Sequence, residues 1–183
     1  MTVDERPGRP ASDDAPAPDA PPDAKPFRAE HRRRLPHLQI ENTPTFVTFA
    51  TWKRWLLPPS VRSLVLEHCV HDNGTKHHLH GAVVMPDHVH LVLTPLADAR
   101  GVVYGLPEIL GGIKGASAHR VNRALNRRGR VWQVESFDRV LRSEESVEQK
   151  VEYICQNPVR AGFVSAGDEY PWLWREWIEG AAR

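Results

Sequence analysis

The feature that most constrains this chain is an apolar run that contains two histidines, His88-Val89-His90-Leu91-Val92-Leu93. In a β-strand, residues i and i+2 point to the same face. We therefore expect His88 and His90 to present two imidazoles side by side, while Val89 and Leu91 pack behind them. Because imidazole is the commonest metal ligand at neutral pH, the pair could form half of a divalent-metal site. Two surface histidines on a half-exposed strand are the alternative, and the spacing alone does not separate the two.

The order of strand and helix signals around this run predicts the fold. The predicted elements are a strand at 45–52, a helix at 61–70, strands at 77–84 and 88–94, a helix from Pro107 to about Arg128, strand-like segments at 131–134 and 137–141, and a helix from the N-cap Ser143 to Asn157. This order matches the ferredoxin-like split βαβ pattern. We therefore predict an α+β fold, in which an antiparallel sheet carries helices on one face and a terminal helix is added.

The first 26 residues differ from the rest in composition. They contain seven of the sixteen prolines, and Val3 is their only aliphatic residue larger than alanine after the initiator Met. Such a segment cannot bury enough apolar surface to offset its ordering entropy. We predict a disordered leader over 1–26 and a single folded domain over 27–183. The leader lacks the basic start and apolar centre of a signal peptide.

Two further observations bear on the compartment. No run approaches the roughly 18 apolar residues needed to span a membrane. The two cysteines, Cys69 and Cys155, lack the spacing of a disulfide framework or a cysteine zinc site. Both observations fit a reducing cytoplasm, without a membrane partner.

A formal net charge of +1 conceals a basic block. Between positions 114 and 130 there are six bases and no acid: Lys114, Arg120, Arg123, Arg127, Arg128 and Arg130. A second basic cluster is Arg32-Arg33-Arg34. A solvated helix face usually interleaves both signs, whereas a block of one sign suits a phosphate backbone. The charge pattern therefore favours a nucleic acid as the partner.

The last predicted helix carries a tyrosine away from its core stripe. Three apolar residues at i, i+4 and i+7 define that stripe: Val147, Val151 and Ile154. Tyr153 lies more than about 90° round the helix from the stripe, on the same side as Lys150 and Asn157. Asn157 precedes Pro158, so the helix should end within about a turn of the tyrosine. An ordinary amphipathic tyrosine at a helix end is the alternative.

Taken together, the two motifs resemble a known family. The combination of Met85-Pro86-Asp87-His88-Val89-His90-Leu91 with Tyr153-Ile154-Cys155-Gln156-Asn157-Pro158-Val159-Arg160-Ala161-Gly162 is similar to the REP-associated tyrosine transposases. These belong to the single-tyrosine HUH transposases of the smallest insertion sequences. Segments 33–37, 113–120 and 132–138 also resemble the family, so the similarity covers about residues 32–175. The leader is not a family feature.

The resemblance implies a metal-dependent cleavage and strand transfer of single-stranded DNA, as in DNA transposition. His88 and His90 would be the HUH pair and, with Asn157 as an amide ligand, would bind Mg²⁺ or Mn²⁺. Tyr153 would be the nucleophile that forms a 5′-phosphotyrosine and frees a 3′-OH. The helix that carries Tyr153 would thus be the catalytic helix. The implied substrate is single-stranded DNA with a hairpin, and the implied DNA contacts are Lys114, Arg120, Arg123, Arg127, Arg128, Arg130, Lys150 and Arg160.

Other functions stay open on the sequence. Seven of the ten histidines lie between His68 and His90, and a zinc hydrolase would use three of them with a water. That reading leaves Tyr153 unexplained. His78 and His80 repeat the i, i+2 spacing, so a second, weak metal site is also open. A non-catalytic DNA-binding protein of the same fold is a further alternative, and the sequence leaves the choice between a monomer and a homodimer open.

Overall fold

The structure is a computed structural model, and it describes residues 43–141 and 144–176. The predicted leader, the cluster Arg32-Arg33-Arg34, the predicted N-cap Ser143 and Trp177 lie outside the described residues. The division into a leader and one folded domain therefore stays a prediction. Within the described ranges, no helix is both long enough and apolar enough to cross a membrane.

Five strands and four α-helices make up the described chain. In chain order they are β1 (Thr45–Ala50), α1 (Pro59–Val70), β2 (His77–Val84), β3 (His88–Pro95), α2 (Leu106–Ala124), β4 (Phe137–Val140), α3 (Glu144–Cys155), α4 (Asn157–Arg160) and β5 (Leu173–Arg175). The sheet order is β4-β1-β3-β2-β5, and every neighbouring pair is antiparallel. The first four strands in this order form the ferredoxin-like arrangement, so the predicted α+β fold is confirmed.

Helices cover both faces of the sheet. On one face α1 and α2 pack against the first cluster, which includes Val47, Phe49, Leu79, Leu91 and Leu93. On the other face α3 packs against the second cluster, which includes Phe46, Val83, Val92, Ile154 and Tyr170. The sequence predicted helices on one face and an added terminal helix, and the structure places that last helix on the opposite face. Because β3 alternates, His88 and His90 share the α3 face with Val92.

The helix α3 approaches the sheet closely at Gly81. A Cβ atom at this position would lie 3.2 Å from Ile154 Cδ1 and 3.3 Å from Val151 Cγ1. Carbon atoms prefer separations of about 3.5–4.0 Å, so the absence of a side chain allows this approach. The pairing of β2 with β3 also shifts register between Leu79 and Gly81, as in a β-bulge.

Two predicted boundaries in the middle of the chain are wrong. The helix α2 ends at Ala124 and not near Arg128, because Asn126 adopts a left-handed conformation with φ of 46°. Residues 131–134 form no strand in the described structure. Instead, Trp132 makes a single bridge to Thr51 and is buried. Its indole contributes to the first cluster, which accounts for the apolar character of the segment.

The end of the described chain also differs from the prediction. Strand β5 was not predicted, and it pairs with residues 81–83 at the edge of β2. Trp174 lies on this strand and Trp172 lies just before it. Both are partly buried against the first cluster. Trp172 Nε1 donates a hydrogen bond to Ser63 Oγ at 3.1 Å. These two tryptophans therefore pack against the fold.

Candidate active site

Strand β3 presents the two histidines of the apolar run on the face that α3 covers. The ring centroids of His88 and His90 are 4.6 Å apart, and the rings are inclined at 76°. His88 Nδ1 lies 2.6 Å from Asp87 Oδ1, and His90 Nδ1 lies 2.7 Å from the hydroxyl of Thr48, its partner across β1 and β3. With each Nδ1 held by a neighbour, Nε2 is the nitrogen left to bind an ion.

Asp87 connects His88 to a left-handed turn. Arg54 Nη1 lies 3.2 Å from Asp87 Oδ2. Lys53 and Arg54 have φ values of 54° and 58°, a conformation that costs about 1–3 kcal/mol for residues other than glycine. Burial would raise the pKa of Asp87, but the hydrogen bond from His88 and the charges of His88 and Arg54 hold it below its usual value. An ionised Asp87 therefore orients His88.

His90 lies among positively charged groups. Burial lowers its pKa to about 3, and the charges of His88, Arg160 and Lys150 act in the same direction, against that of Asp87. The imidazole is consequently neutral near pH 7, which is the form that binds metals.

Tyr153 lies on the exposed side of α3 and contacts an aromatic neighbour of His90. Its side chain is 47% exposed. The Tyr153 ring meets Phe46 edge-on with centroids 6.4 Å apart, and Phe46 stacks on His90 at 5.5 Å. Tyr153 and His90 therefore share one aromatic neighbour.

Two cations flank the phenol ring. Lys150 Nζ lies 4.7 Å from the centroid of Tyr153 and 4.9 Å from that of Phe46. Arg160 Cζ lies 4.5 Å from the Tyr153 centroid. These distances are those of cation–π contacts. The structure thus brings together Lys150, Arg160 and Tyr153, and it gives the site a positive field suited to an anionic phosphate.

Asn157 is not on α3. The predicted continuation of the helix to Asn157 is wrong, because α3 ends at Cys155 and Asn157 begins α4. The predicted end within a turn of Tyr153 is confirmed. Arg160 Nη2 donates to Asn157 Oδ1 and, at 2.8 Å, to the backbone oxygen of Tyr153. Asn157 Nδ2 is buried and has no hydrogen-bonding partner among the described residues.

These groups fit a divalent ion if solvent and substrate complete the shell. Two imidazoles with a fixed Nδ1 offer two nitrogen ligands, whereas the amide oxygen of Asn157, the atom that would bind an ion, accepts a hydrogen bond from Arg160. Mg²⁺ and Mn²⁺ prefer oxygen ligands, so waters and phosphate oxygens would supply the remaining positions. His88, His90 and Asn157 would hold such an ion, once Arg160 releases the amide oxygen.

The predicted DNA-binding block divides into two groups. Lys114 points inward, where Nζ donates to the backbone oxygen of Val134 at 3.0 Å and to Ser136 Oγ at 3.1 Å. Burial lowers the pKa of Lys114. Arg120 forms an ion pair with Glu67 at 2.7 Å. These two bases are therefore engaged within the protein.

The remaining bases of the block surround a surface with aromatic rings. Arg127 Cζ lies 4.0 Å from the centroid of Trp55, and Arg130 Cζ lies 5.0 Å from that of Trp52. A shallow concavity of about 480 Å³ lies beside them, lined by His119, Asn122, Arg123, Asn126, Arg127, Arg128 and Gly129. Guanidinium groups beside indole rings suit a phosphate backbone and stacked bases.

Sequence reasoning missed several members of the site. Thr48 holds His90, Phe46 contacts both His90 and Tyr153, and Asp87 orients His88. A signal existed for Asp87 alone, because it adjoins His88 in the sequence. The other two depend on the register of β1 against β3.

Comparison with solved structures supports the fold. No protein-family model matches the chain, and no curated protein matches it. The structure is similar to that of a REP-associated tyrosine transposase bound to a REP hairpin, with a TM-score of 0.56 and 21% identity, over 79% of this chain and 81% of that chain. It is also similar to a candidate transposase from Deinococcus radiodurans R1, with a TM-score of 0.42 and 24% identity, over 67% of this chain and 95% of that chain. The first of these likenesses confirms the fold that the sequence resemblance implied.

Proposed function

We propose that this protein is a transposase-type enzyme that cleaves and rejoins single-stranded DNA through a covalent tyrosine intermediate. The observation that carries the proposal is that Tyr153, on α3, and His90, of the histidine pair on β3, both contact the ring of Phe46. The two motifs lie far apart in the sequence, and a tyrosine that only packed against the sheet would not need two flanking cations. The fold is also that of a tyrosine transposase.

The proposed reaction assigns a step to each group. The Tyr153 oxygen attacks the scissile phosphorus, and the bond from phosphorus to the 3′-oxygen of the preceding nucleotide breaks. The phenol loses its proton, the departing 3′-oxygen gains one, and a 5′-phosphotyrosine remains. The bond energy is conserved in the phosphotyrosine, so a 3′-OH can later reverse the step without another energy source.

The flanking cations favour this step. A phenol is a weak nucleophile until its proton leaves, and positive charges stabilise both the phenolate and the charge that develops on the phosphate. Lys150 and Arg160 lie within 5 Å of the Tyr153 ring centroid, at 4.7 and 4.5 Å. A Mg²⁺ or Mn²⁺ ion held by His88 and His90 would polarise the scissile phosphate.

The proposed substrate is single-stranded DNA with a hairpin. The similar transposase is bound to a REP hairpin. In this chain the surface formed by Arg127 on Trp55 and Arg130 on Trp52, with the adjoining concavity, offers charge for the backbone and rings for bases. Of the eight predicted DNA contacts, Lys114 and Arg120 have the weakest support because they are engaged within the protein.

The test is incubation with 5′-labelled and 3′-labelled hairpin oligonucleotides in Mg²⁺ or Mn²⁺, followed by a denaturing gel. We expect a protein–DNA adduct with the 3′-labelled oligonucleotide and a shortened, protein-free fragment with the 5′-labelled one, because the tyrosine is joined to the 5′ phosphate of the downstream fragment. We expect EDTA to abolish the adduct. Tyr153→Phe should form no adduct while binding the hairpin nearly as well as the wild type. Tyr104→Phe is the matched control and should keep the adduct. An equal yield of adduct from Tyr153→Phe would refute the proposed nucleophile.

A second candidate is a non-catalytic DNA-binding protein of the same fold. The observation that favours it is the contact between Arg160 and Asn157 Oδ1, which occupies the proposed amide ligand. Hairpin binding without an adduct, across both metals and several hairpins, would support this candidate.

A further inference from the structure

A second pair of histidines on β2 repeats the geometry of the first. The ring centroids of His78 and His80 are 4.6 Å apart and the rings are inclined at 73°, close to the values for His88 and His90. Leu79, between them, is fully buried in the first cluster. The two imidazoles therefore point away from that cluster, and both are partly exposed.

A carboxylate completes the group. Glu176, directly after β5, places Oε2 at 2.9 Å from His78 Nε2 and 3.9 Å from His80 Nδ1. The Glu176 backbone N–H donates to the backbone oxygen of His80 at 3.1 Å, so the main chain fixes the carboxylate beside the pair. Among the described residues, this is the only group of three or more His, Cys, Asp or Glu whose ligand atoms all lie within 4.8 Å of one another.

The separations suit a small tetrahedral ion. Ligands bound at about 2.0–2.2 Å around a tetrahedral ion lie roughly 3.3–3.6 Å from one another. The observed 2.9 and 3.9 Å bracket that range, so small side-chain rotations suffice. His80 Nε2 also lies 2.8 Å from Thr94 Oγ1, which leaves Nδ1 as the ligand atom and orients the ring, as Thr48 does for His90.

We propose that His78, His80 and Glu176 form a second metal site, which takes Zn²⁺ or a similar borderline first-row ion with water as a further ligand. Two imidazoles and one carboxylate are ligands of zinc, whereas Mg²⁺ would require mostly oxygen. The ligands come from β2 and from the residue after β5, a strand of only three residues. The ion therefore fastens the edge strand to the sheet. This site does not depend on the proposed DNA chemistry.

The test separates this site from the histidine pair of β3. In the background His88→Ala/His90→Ala, titration calorimetry with Zn²⁺ should give one ion per chain. Glu176→Gln in that background should weaken binding about 10-fold or more, and His78→Ala should abolish it at micromolar Zn²⁺. His71→Ala, which changes an exposed histidine outside the group, should leave binding unchanged.

A second measurement guards against a background that does not fold. With the otherwise unmodified protein, His78→Ala/His80→Ala should lower the bound Zn²⁺ by one ion per chain and reduce the Zn²⁺-dependent rise in melting temperature. Absence of Zn²⁺ binding in the first background, or an unchanged stoichiometry in the second, would show that His78 and Glu176 form only a surface ion pair.

Discussion

Asp87 gives the sharpest test of how the proposed metal site is supported. Its carboxylate accepts a hydrogen bond from His88 Nδ1 at 2.6 Å and pairs with Arg54 at 3.2 Å. It does not itself provide a ligand in the proposed site, so its replacement would change metal affinity through the orientation of His88 and through the loss of a nearby negative charge. Loss of such a supporting partner typically weakens metal binding about 10–100-fold.

Three variants should weaken metal binding by different amounts. Asp87→Asn keeps an oxygen that can accept from Nδ1 and removes only the charge, so we expect Mn²⁺ to bind about 10-fold more weakly, or about 1.4 kcal/mol. Asp87→Ala also removes the acceptor, and the loss should approach 100-fold. Arg54→Ala removes an ion pair whose arginine is 43% exposed, and such pairs contribute about 0–1 kcal/mol. Its effect should therefore be the smallest of the three.

Mn²⁺ affinity would be measured by titration calorimetry. The Mn²⁺ concentration that gives half-maximal adduct formation is a second measurement. Circular dichroism would verify that each variant is folded. Equal Mn²⁺ affinity in Asp87→Ala and the wild type would refute the role of Asp87 as a positioning residue. A loss in Arg54→Ala as large as that in Asp87→Ala would show that the turn, and not the carboxylate, supports His88.

Three further predictions concern the fold itself. Gly81→Ala should lower the free energy of unfolding by about 1–3 kcal/mol, because the new methyl group would lie 3.2 Å from Ile154 Cδ1. Adding Ile154→Val, which removes that Cδ1 atom, should recover part of this loss in urea denaturation. No recovery would contradict the contact. Burial lowers the pKa of His77, so the fold loses stability as the pH falls below about 6.5, the pKa of a histidine in the unfolded chain. His77→Gln should therefore reduce the change in the free energy of unfolding between pH 7 and pH 5. Burial raises the pKa of Cys69 to about 12 and the pKa of Cys155 to about 11. Neither thiol should therefore react with a thiol reagent at pH 8 until the protein is denatured. Rapid reaction of the native protein would contradict this packing.

The sequence predicted those elements whose signals are local. The strands at 77–84 and 88–95 were predicted to within a residue, because alternation and the intervening Pro86-Asp87 are both short-range features. The end of α2 was missed because Asn126 adopts a left-handed conformation that its neighbours do not signal. Strand β5 was missed because three residues are too few to show a period, and because it exists only by pairing with β2.

In the candidate site, too, local sequence signals predicted some contacts, while others depend on how distant segments pair. A period of two placed His88 and His90 on one face, and helical spacing placed Lys150 beside Tyr153. The partners Thr48 and Phe46 required the register of β1 against β3, which single-chain periodicity does not supply. The contact of Arg160 with Asn157 required the start of α4 at Asn157, just after α3 ends at Cys155.

The order of the site's parts along the chain has a consequence during translation. The histidine-bearing hairpin of β2 and β3 is complete at Pro95, whereas Tyr153 lies on α3, near the end of the described fold. At roughly 5–20 residues per second, the tyrosine is synthesised roughly 3–12 s after that hairpin. A nascent chain that already presents the histidine pair thus still lacks both Asn157 and its proposed nucleophile. The proposed cleavage of single-stranded DNA would therefore wait until α3 has been synthesised and has packed over Gly81.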